Sequence, residues 1–183
     1  MADNALTLGG AKPQADLRSP DERRQLLRFT LGTALYGVPI EQVREILQVT
    51  SMTAVPMVPG FVRGVMNLRG AVVPVFDLGQ RVGLRATSIG RRTCVVIIET
   101  LSADGAAQRH GVLVDAVHEV LEVAARDVEP VPPLGTRIAP HFIAGVTRVQ
   151  GQSLELLDVP RVFEESELTR LIGEHGAASA WLN

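Results

Sequence analysis

Cysteine, aromatic residues and long apolar runs are scarce in this chain of 183 residues. The single cysteine, Cys94, excludes an intramolecular disulfide and lies in an apolar run, so a reducing compartment is expected. No apolar run approaches the roughly 18 residues that span a bilayer, and residues 1–24 lack the basic and apolar regions of a signal peptide. We therefore expect a cytoplasmic protein without direct membrane insertion.

Basic charge is scarce as well. The chain holds 18 Lys and Arg against 20 Asp and Glu, its one lysine is Lys12, and aromatic residues make up 4%. Binding to nucleic acid needs a basic surface, and single strands also need aromatic platforms for their bases. A nucleic-acid partner is therefore not expected.

Familiar catalytic and cofactor motifs are also missing from the sequence. The four histidines show neither metal-ligand spacing nor a neighbouring nucleophile; they are His110, His118, His141 and His175. The segment GVMNLRG (64–70) lacks the lysine and the spacing of a phosphate-binding loop. These features predict a protein that is not an enzyme and binds no metal or cofactor. A small hydrolase stays as an alternative that would need a clustered nucleophile and base.

What the sequence does contain is an internal repeat. The segment Phe61–Val82 aligns with Phe142–Phe163 at an offset of 81 residues, and five residues of the two segments are identical. Upstream, YGVPIEQVREIL (36–47) aligns with HGVLVDAVHEVL (110–121) at an offset of 74 residues. The chain therefore contains two copies of one unit of roughly 65 to 70 residues, a size at which a single core is marginal.

The repeated unit predicts a mainly β fold. Short runs rich in Val and Ile, punctuated by Gly and Pro, indicate many short strands. We expect two small β-barrels packed face to face about a pseudo-two-fold axis. The predicted divisions are a flexible N-terminal tail (1–24), a first barrel (about 25–90), a second barrel (about 91–165) and a C-terminal helix and tail (166–183). Exchange of strands between the barrels is left open, as is the role of Trp181 in the tail.

The glycines of the repeat are predicted to form structural turns, because they flank strands in both copies. They are Gly64 and Gly70 in the first copy and Gly145 and Gly151 in the second. An aspartate closes the repeated strand in each copy, which predicts that it caps the following turn. Pro74 cannot donate to a ladder, which predicts a sheet edge or a bulge. That edge could accept a partner strand or prevent such pairing.

Two kinds of side chain in the repeat allow a structural and a functional interpretation. Arg69 could tie down carbonyls or a carboxylate between the barrels, or it could contact a partner. Because Gln150 stands at the matching position, the shared fold does not require an arginine there. Both copies have a glutamate at the same position, Glu45 in the first and Glu119 in the second. This glutamate could be shared structure, a charge at a loop end, or a similar contact point in each copy. Val43 belongs with the apolar residues of the first barrel, some of which could line a groove for a partner.

Four segments together resemble the CheW family, the coupling proteins of bacterial chemosensory arrays. They are YGVPIEQVREIL, FVRGVMNLRGAVVPVFDL, HGVLVDAVHEVL and FIAGVTRVQGQSLELLDV, in the order and spacing typical of that family. The resemblance implies two five-stranded SH3-like β-barrels around a shared core, with a short C-terminal helix.

The resemblance also implies a function without catalysis. The chain would be an adaptor that couples the cytoplasmic tip of methyl-accepting chemotaxis receptors to the regulatory domain of a CheA-type histidine kinase. It would act in the cytoplasm, recruited to receptor arrays at the membrane. The receptor-binding residues it implies are Val43, Glu45, Asn67, Leu68 and Arg69. The alternative is an adaptor of a non-chemotactic chemosensory pathway that controls surface growth or a second messenger.

Overall fold

The computed structural model describes residues 21–174, which form ten β-strands and three α-helices joined by short 3₁₀ turns. The strands are β1 (Arg23–Leu31), β2 (Ala34–Pro39), β3 (Val43–Gln48), β4 (Val62–Leu68), β5 (Ala71–Asp77), β6 (Cys94–Leu101), β7 (Ala107–Val114), β8 (Ala116–Ala124), β9 (Ile143–Val149) and β10 (Gln152–Leu157). The helices are α1 (Leu78–Arg81), α2 (Val159–Val162) and α3 (Glu165–Glu174). None of the described helices is both long enough and apolar enough to cross a membrane.

The strands form two five-stranded sheets. Sheet A has the order β8-β1-β2-β10-β9, and sheet B has the order β3-β6-β7-β5-β4. Neighbouring strands are antiparallel except for β2 with β10 and β5 with β7, which are parallel. The mainly β fold of two five-stranded units with a short C-terminal helix, predicted from the sequence, is confirmed.

The sheets reproduce the internal repeat of the sequence. Replacing each strand of sheet A by the strand five places away in the chain gives the order of sheet B. The first hairpin of each copy, β1–β2 or β6–β7, therefore joins the sheet that holds the last three strands of the other copy. Neither sheet is a contiguous half of the chain, so a division near residue 90 does not separate them. Because each half lacks two strands of its own sheet, neither half can complete a core alone.

Apolar side chains form one large cluster between the two sheets and a smaller cluster within each sheet. Phe29 and Tyr36 of sheet A meet Phe76 and Val112 of sheet B in the largest cluster, where all four are at most 2% exposed. The smaller clusters are repeat equivalents: one contains Val73 and Val75, and the other contains Leu154 and Leu156. The seam between the copies is therefore the main core of the protein.

A buried arginine lies where the two copies meet. The Arg81 guanidinium packs over the rings of Phe61 and Phe142, at 5.6 and 4.8 Å from their centroids, and these phenylalanines are repeat equivalents. Its Nε donates to the carbonyl oxygen of Val162 at 2.9 Å, and its Nη2 donates to Glu167 Oε2 at 2.6 Å. Only 4% of the Arg81 side chain is exposed. This one side chain thus connects α1 to α2 and α3.

The glycine before the first repeated turn lies where two backbones nearly touch. Gly64 has φ +141°, and a Cβ there would overlap the carbonyl oxygen of Thr53. The backbones of Thr53 and Val65 exchange two hydrogen bonds of 2.9 Å at this place. In the second copy a Cβ on Gly145 would come within 2.6 Å of Val128. Both positions exclude a side chain because another segment crosses the strand.

The aspartates that close the repeated strands cap the helices that follow. Asp77 Oδ1 accepts from the backbone N–H of Gln80, and Asp158 Oδ1 accepts from that of Arg161, both at 3.2 Å. An acidic N-cap satisfies a free backbone donor of the first helical turn. The predicted capping role is therefore confirmed.

The structure corrects two expectations about the ends of the domain. Strand β1 begins at Arg23, inside the predicted tail, because the backbone of Arg23 pairs with Ala124 of β8 and needs no apolar side chain. The C-terminal helix, predicted from residue 166, begins at Glu165 of α3, and the separate short helix α2 ends before it at Val162. Residues 1–20 and 175–183, including Trp181, lie outside the described residues.

Pro74 was expected at a sheet edge or at a bulge. It does not lie in an edge strand, because β5 lies between β4 and β7 in sheet B, but the β4–β5 ladder has a register shift next to it, between Val62 and Gly64. The pairing with β7 begins only at Val75, whereas β4 pairs with residues 71–76 of β5. A residue without an amide donor is tolerated at Pro74 because one side of the strand has no ladder there.

Candidate partner-binding surface

Strands β4 and β5 are joined by a tight turn of two residues. Leu68 and Ala71 are paired across the hairpin, so Arg69 and Gly70 alone form the turn. Both have positive φ, of 53° and 88°, as a type I′ hairpin turn requires. Asn67 Oδ1 accepts from the Gly70 N–H at 2.9 Å and supports the turn from inside. The turn therefore projects the Arg69 side chain from a rigid corner.

Arg69 is an exposed cation held by an acidic side chain from another strand. Its Nη2 lies 3.0 Å from Glu45 Oε2, and 82% of the Arg69 side chain is exposed against 22% of Glu45. Glu45 belongs to β3, at the opposite end of sheet B from β4. The sheet must curl to bring its two outer strands this close. Because water screens the exposed pair, it contributes little to stability and leaves Arg69 available to a ligand.

The second copy has the same turn with different chemistry. Gln150 and Gly151 have φ values of 52° and 79°, so the backbone of this turn matches the first. Glu119, the counterpart of Glu45, instead pairs at 2.7 Å with Arg28 of the neighbouring strand β1. An arginine on the turn itself, paired with a glutamate, is therefore a property of the first copy alone, although the exposed Arg148 stands two residues before Gln150 in the second copy.

The remaining predicted residues lie near this corner in different environments. Asn67 is exposed in β4, and the half-buried Leu68 packs against the smaller cluster of sheet B. Val43 is half-buried, packs against the main core and precedes Glu45 by two residues in β3. The structure thus brings together Glu45 and Arg69 by an ion pair and Asn67 and Gly70 by a hydrogen bond, whereas the apolar Leu68 and Val43 pack against different clusters.

Two exposed apolar residues accompany the corner. Ile46 of β3 is 43% exposed, and Val72 of β5 is 63% exposed and pairs directly with Asn67. Sequence reasoning grouped Ile46 with the apolar residues of the first barrel, some of which could line a groove for a partner, and gave no role to Val72. In a strand with period two, Ile46 shares a face with the polar Arg44 and Gln48, and this was the signal available in the sequence.

Of the described histidines, His110 is buried in the core. His110 is 3% exposed, stacks on the Phe163 ring at 4.7 Å, and shares a 3.1 Å hydrogen bond with Thr100 Oγ1. Burial lowers the pKa of His110 to about 4, so the ring is neutral at neutral pH. Among the described residues, no group of three or more His, Cys, Asp and Glu is arranged to hold a metal ion.

Comparison with known proteins gives one consistent family. Residues 25–167 match the model of the CheW-like domain. The chain is 35% identical to the chemotaxis protein CheW of Rhizobium meliloti (strain 1021), over 79% of this chain and 90% of that protein. It is 33% identical to the chemotaxis protein CheW of Treponema pallidum (strain Nichols), over 82% and 88%.

A solved structure agrees in fold as well as in sequence. The scaffolding protein TtCheW from Thermoanaerobacter tengcongensis superposes with a TM-score of 0.70 at 32% identity, covering 78% of this chain and 94% of that one. Family model, sequence and fold therefore agree over the region that holds the repeat and the Arg69 turn. The chain belongs to the CheW family.

Proposed function

We propose that this CheW-family chain is a non-catalytic adaptor of chemotaxis, which couples chemoreceptors to a CheA-type histidine kinase. The observation that carries the proposal is the rigid corner at Arg69, where an exposed guanidinium is paired with Glu45 on a domain of the CheW family. The relatives named as chemotaxis protein CheW favour chemotaxis over another chemosensory output. The chain would act in the cytoplasm at receptor arrays.

The chemistry of the corner suits a helical receptor tip. A guanidinium offers a fork of donors to a carboxylate, and Arg69 can exchange Glu45 for an acidic residue of a partner at little cost. The neighbouring exposed Ile46 and Val72 provide apolar contact area. Individually weak contacts are sufficient in an array, because linked partners raise the effective concentration of every site.

The test compares two matched turn variants, Arg69→Ala and Gln150→Ala. Both replace a residue with φ near 52° before a glycine, so the backbone strain is the same in the two variants. Autophosphorylation of a CheA-type kinase is measured with receptor fragments and no adaptor, wild type, or each variant. We expect wild type and Gln150→Ala to raise receptor-coupled kinase activity, and Arg69→Ala to lose most of that increase while remaining folded.

Two results would contradict the proposal. If wild type binds neither the kinase nor the receptor fragments, the chain is not a coupling adaptor. If Arg69→Ala couples as well as Gln150→Ala does, the corner is structural and the receptor contact lies elsewhere.

A further inference from the structure

A groove runs between the end of the β6–β7 hairpin and helix α3, and Gln42 of the 3₁₀ turn that precedes β3 also lines it. Its volume is about 920 Å³, and most of its wall is apolar. The floor is formed by Phe163, with Leu101 and Ala103 on the hairpin side and Thr169 on the helix side. Leu101 is 75% exposed and adds apolar surface to the groove. A smaller hollow of about 500 Å³ adjoins the groove and shares Ala103 with it.

The floor of the groove is rigid. The Phe163 ring lies parallel to the buried His110 ring, with an interplanar angle of 1°. Helix α3 is fixed beside it by the ion pair between Glu167 and Arg81 and by Leu168, which is 1% exposed. The groove therefore exists before a ligand arrives, which reduces the entropic cost of binding.

The rim of the groove is acidic. Glu164 and Glu165 line the groove at the start of α3, and Asp104 lines the adjoining hollow. Glu99 also lines the groove, but Arg44 and Arg109 donate to it and lower its pKa. No described residue that lines either hollow is a lysine, an arginine or a histidine. Glu164 also lines a separate hollow that contains His141 and Arg170, whereas the two hollows lined by Glu165 contain no described basic residue.

We infer that this groove binds an amphipathic basic segment of a partner protein. Apolar side chains of that segment cover Phe163 and Leu101, and its lysine or arginine side chains meet the carboxylates of Glu164 and Glu165. An apolar floor with charge along one rim is the arrangement that selects a helix with one apolar face. An acidic segment is repelled at the same rim, so charge sets the specificity. The site goes beyond the proposed receptor contact, because its lining residues and those of the Arg69 corner do not overlap.

The test uses synthetic peptides and the full chain, without kinase or receptor, so its result is independent of the adaptor proposal. The probe is a fluorescein-labelled peptide with leucine and lysine at helical spacing. The comparison peptides replace either every lysine by glutamate or every leucine by serine. We expect fluorescence anisotropy to show saturable binding of the leucine–lysine peptide, and at least tenfold weaker binding of the other two. Amide chemical-shift changes should centre on Leu101, Ala103 and Thr169.

Two matched charge reversals locate the site. Glu165→Lys changes the rim, and Glu129→Lys makes the same change to an exposed glutamate of another hollow, beside sheet A. We expect Glu165→Lys to weaken binding of the leucine–lysine peptide about fivefold, because it replaces an attraction by a repulsion, and Glu129→Lys to change it less than twofold. Equal effects of the two reversals, shift changes centred on the Arg69 turn, or absence of saturable binding would each overturn the inference.

Discussion

Removal of the carboxylate that neutralises Arg81 should destabilise the fold far more than removal of its neighbour on the same helix. In Glu167→Ala the guanidinium keeps its hydrogen bond to Val162 and the two phenylalanine rings but loses its counter-ion. Arg81 is 4% exposed, so water cannot take the place of the carboxylate. An unpaired charge left in such a site is strongly unfavourable.

The magnitude follows from the burial of the two partners. Breaking a fully buried pair costs about 3–5 kcal/mol. Because 32% of the Glu167 side chain is exposed, solvent already screens part of the attraction, and we expect a loss of about 2 to 3 kcal/mol in the free energy of unfolding. With a urea dependence of about 2 kcal/mol per molar, the unfolding midpoint should fall by roughly 1 M.

The assay is urea unfolding followed by circular dichroism, with Glu165→Ala as the matched control. Glu165 and Glu167 both lie in the first turn of α3, so both substitutions lose the same favourable interaction with the helix dipole. Glu165 is exposed, and its replacement should change the free energy of unfolding by no more than about 0.5 kcal/mol. If the two midpoints coincide, the ion pair with Glu167 does not stabilise the buried Arg81 guanidinium, and the prediction is wrong.

Three further outcomes are expected. Burial lowers the pKa of His110 to about 4 from its usual 6.5, so the folded state resists protonation of this ring. The resulting contribution to the free energy of unfolding is present above pH 6.5 and should be lost as the pH falls towards 4. In urea unfolding, His110→Gln should lose less free energy of unfolding than wild type over that range. Gly64→Ala should lower the melting temperature far more than Gly70→Ala, because both positions have positive φ but only Gly64 faces a crossing backbone; equal shifts in thermal unfolding would contradict this. Arg69→Ala should leave the urea midpoint nearly unchanged, since the pair with Glu45 is exposed, and a loss above about 1 kcal/mol would mark the pair as structural.

The sequence by itself determined the features that depend on local chemistry and on repetition. Short runs rich in Val and Ile, punctuated by Gly and Pro, indicated short strands, and the two alignments indicated two copies of one unit. The aspartates at the strand ends indicated the caps of α1 and α2 because an Asp side chain reaches the backbone donors three residues ahead. The segments around Asn67 and Arg69 were distinctive enough to indicate the family.

The tertiary structure decided everything that depends on which segments meet. The exchange of hairpins between the sheets could not be read from two similar copies, because either copy of a strand offers the same pattern to a partner strand. The pair of Arg69 with Glu45 joins the two ends of sheet B, and it exists only because that sheet curls. Arg81 belongs to a short helix, and only packing between the two copies placed it between Phe61 and Phe142. Local sequence determines the short strands and the helix caps, whereas burial and charge pairing arise from contacts between residues distant in the chain.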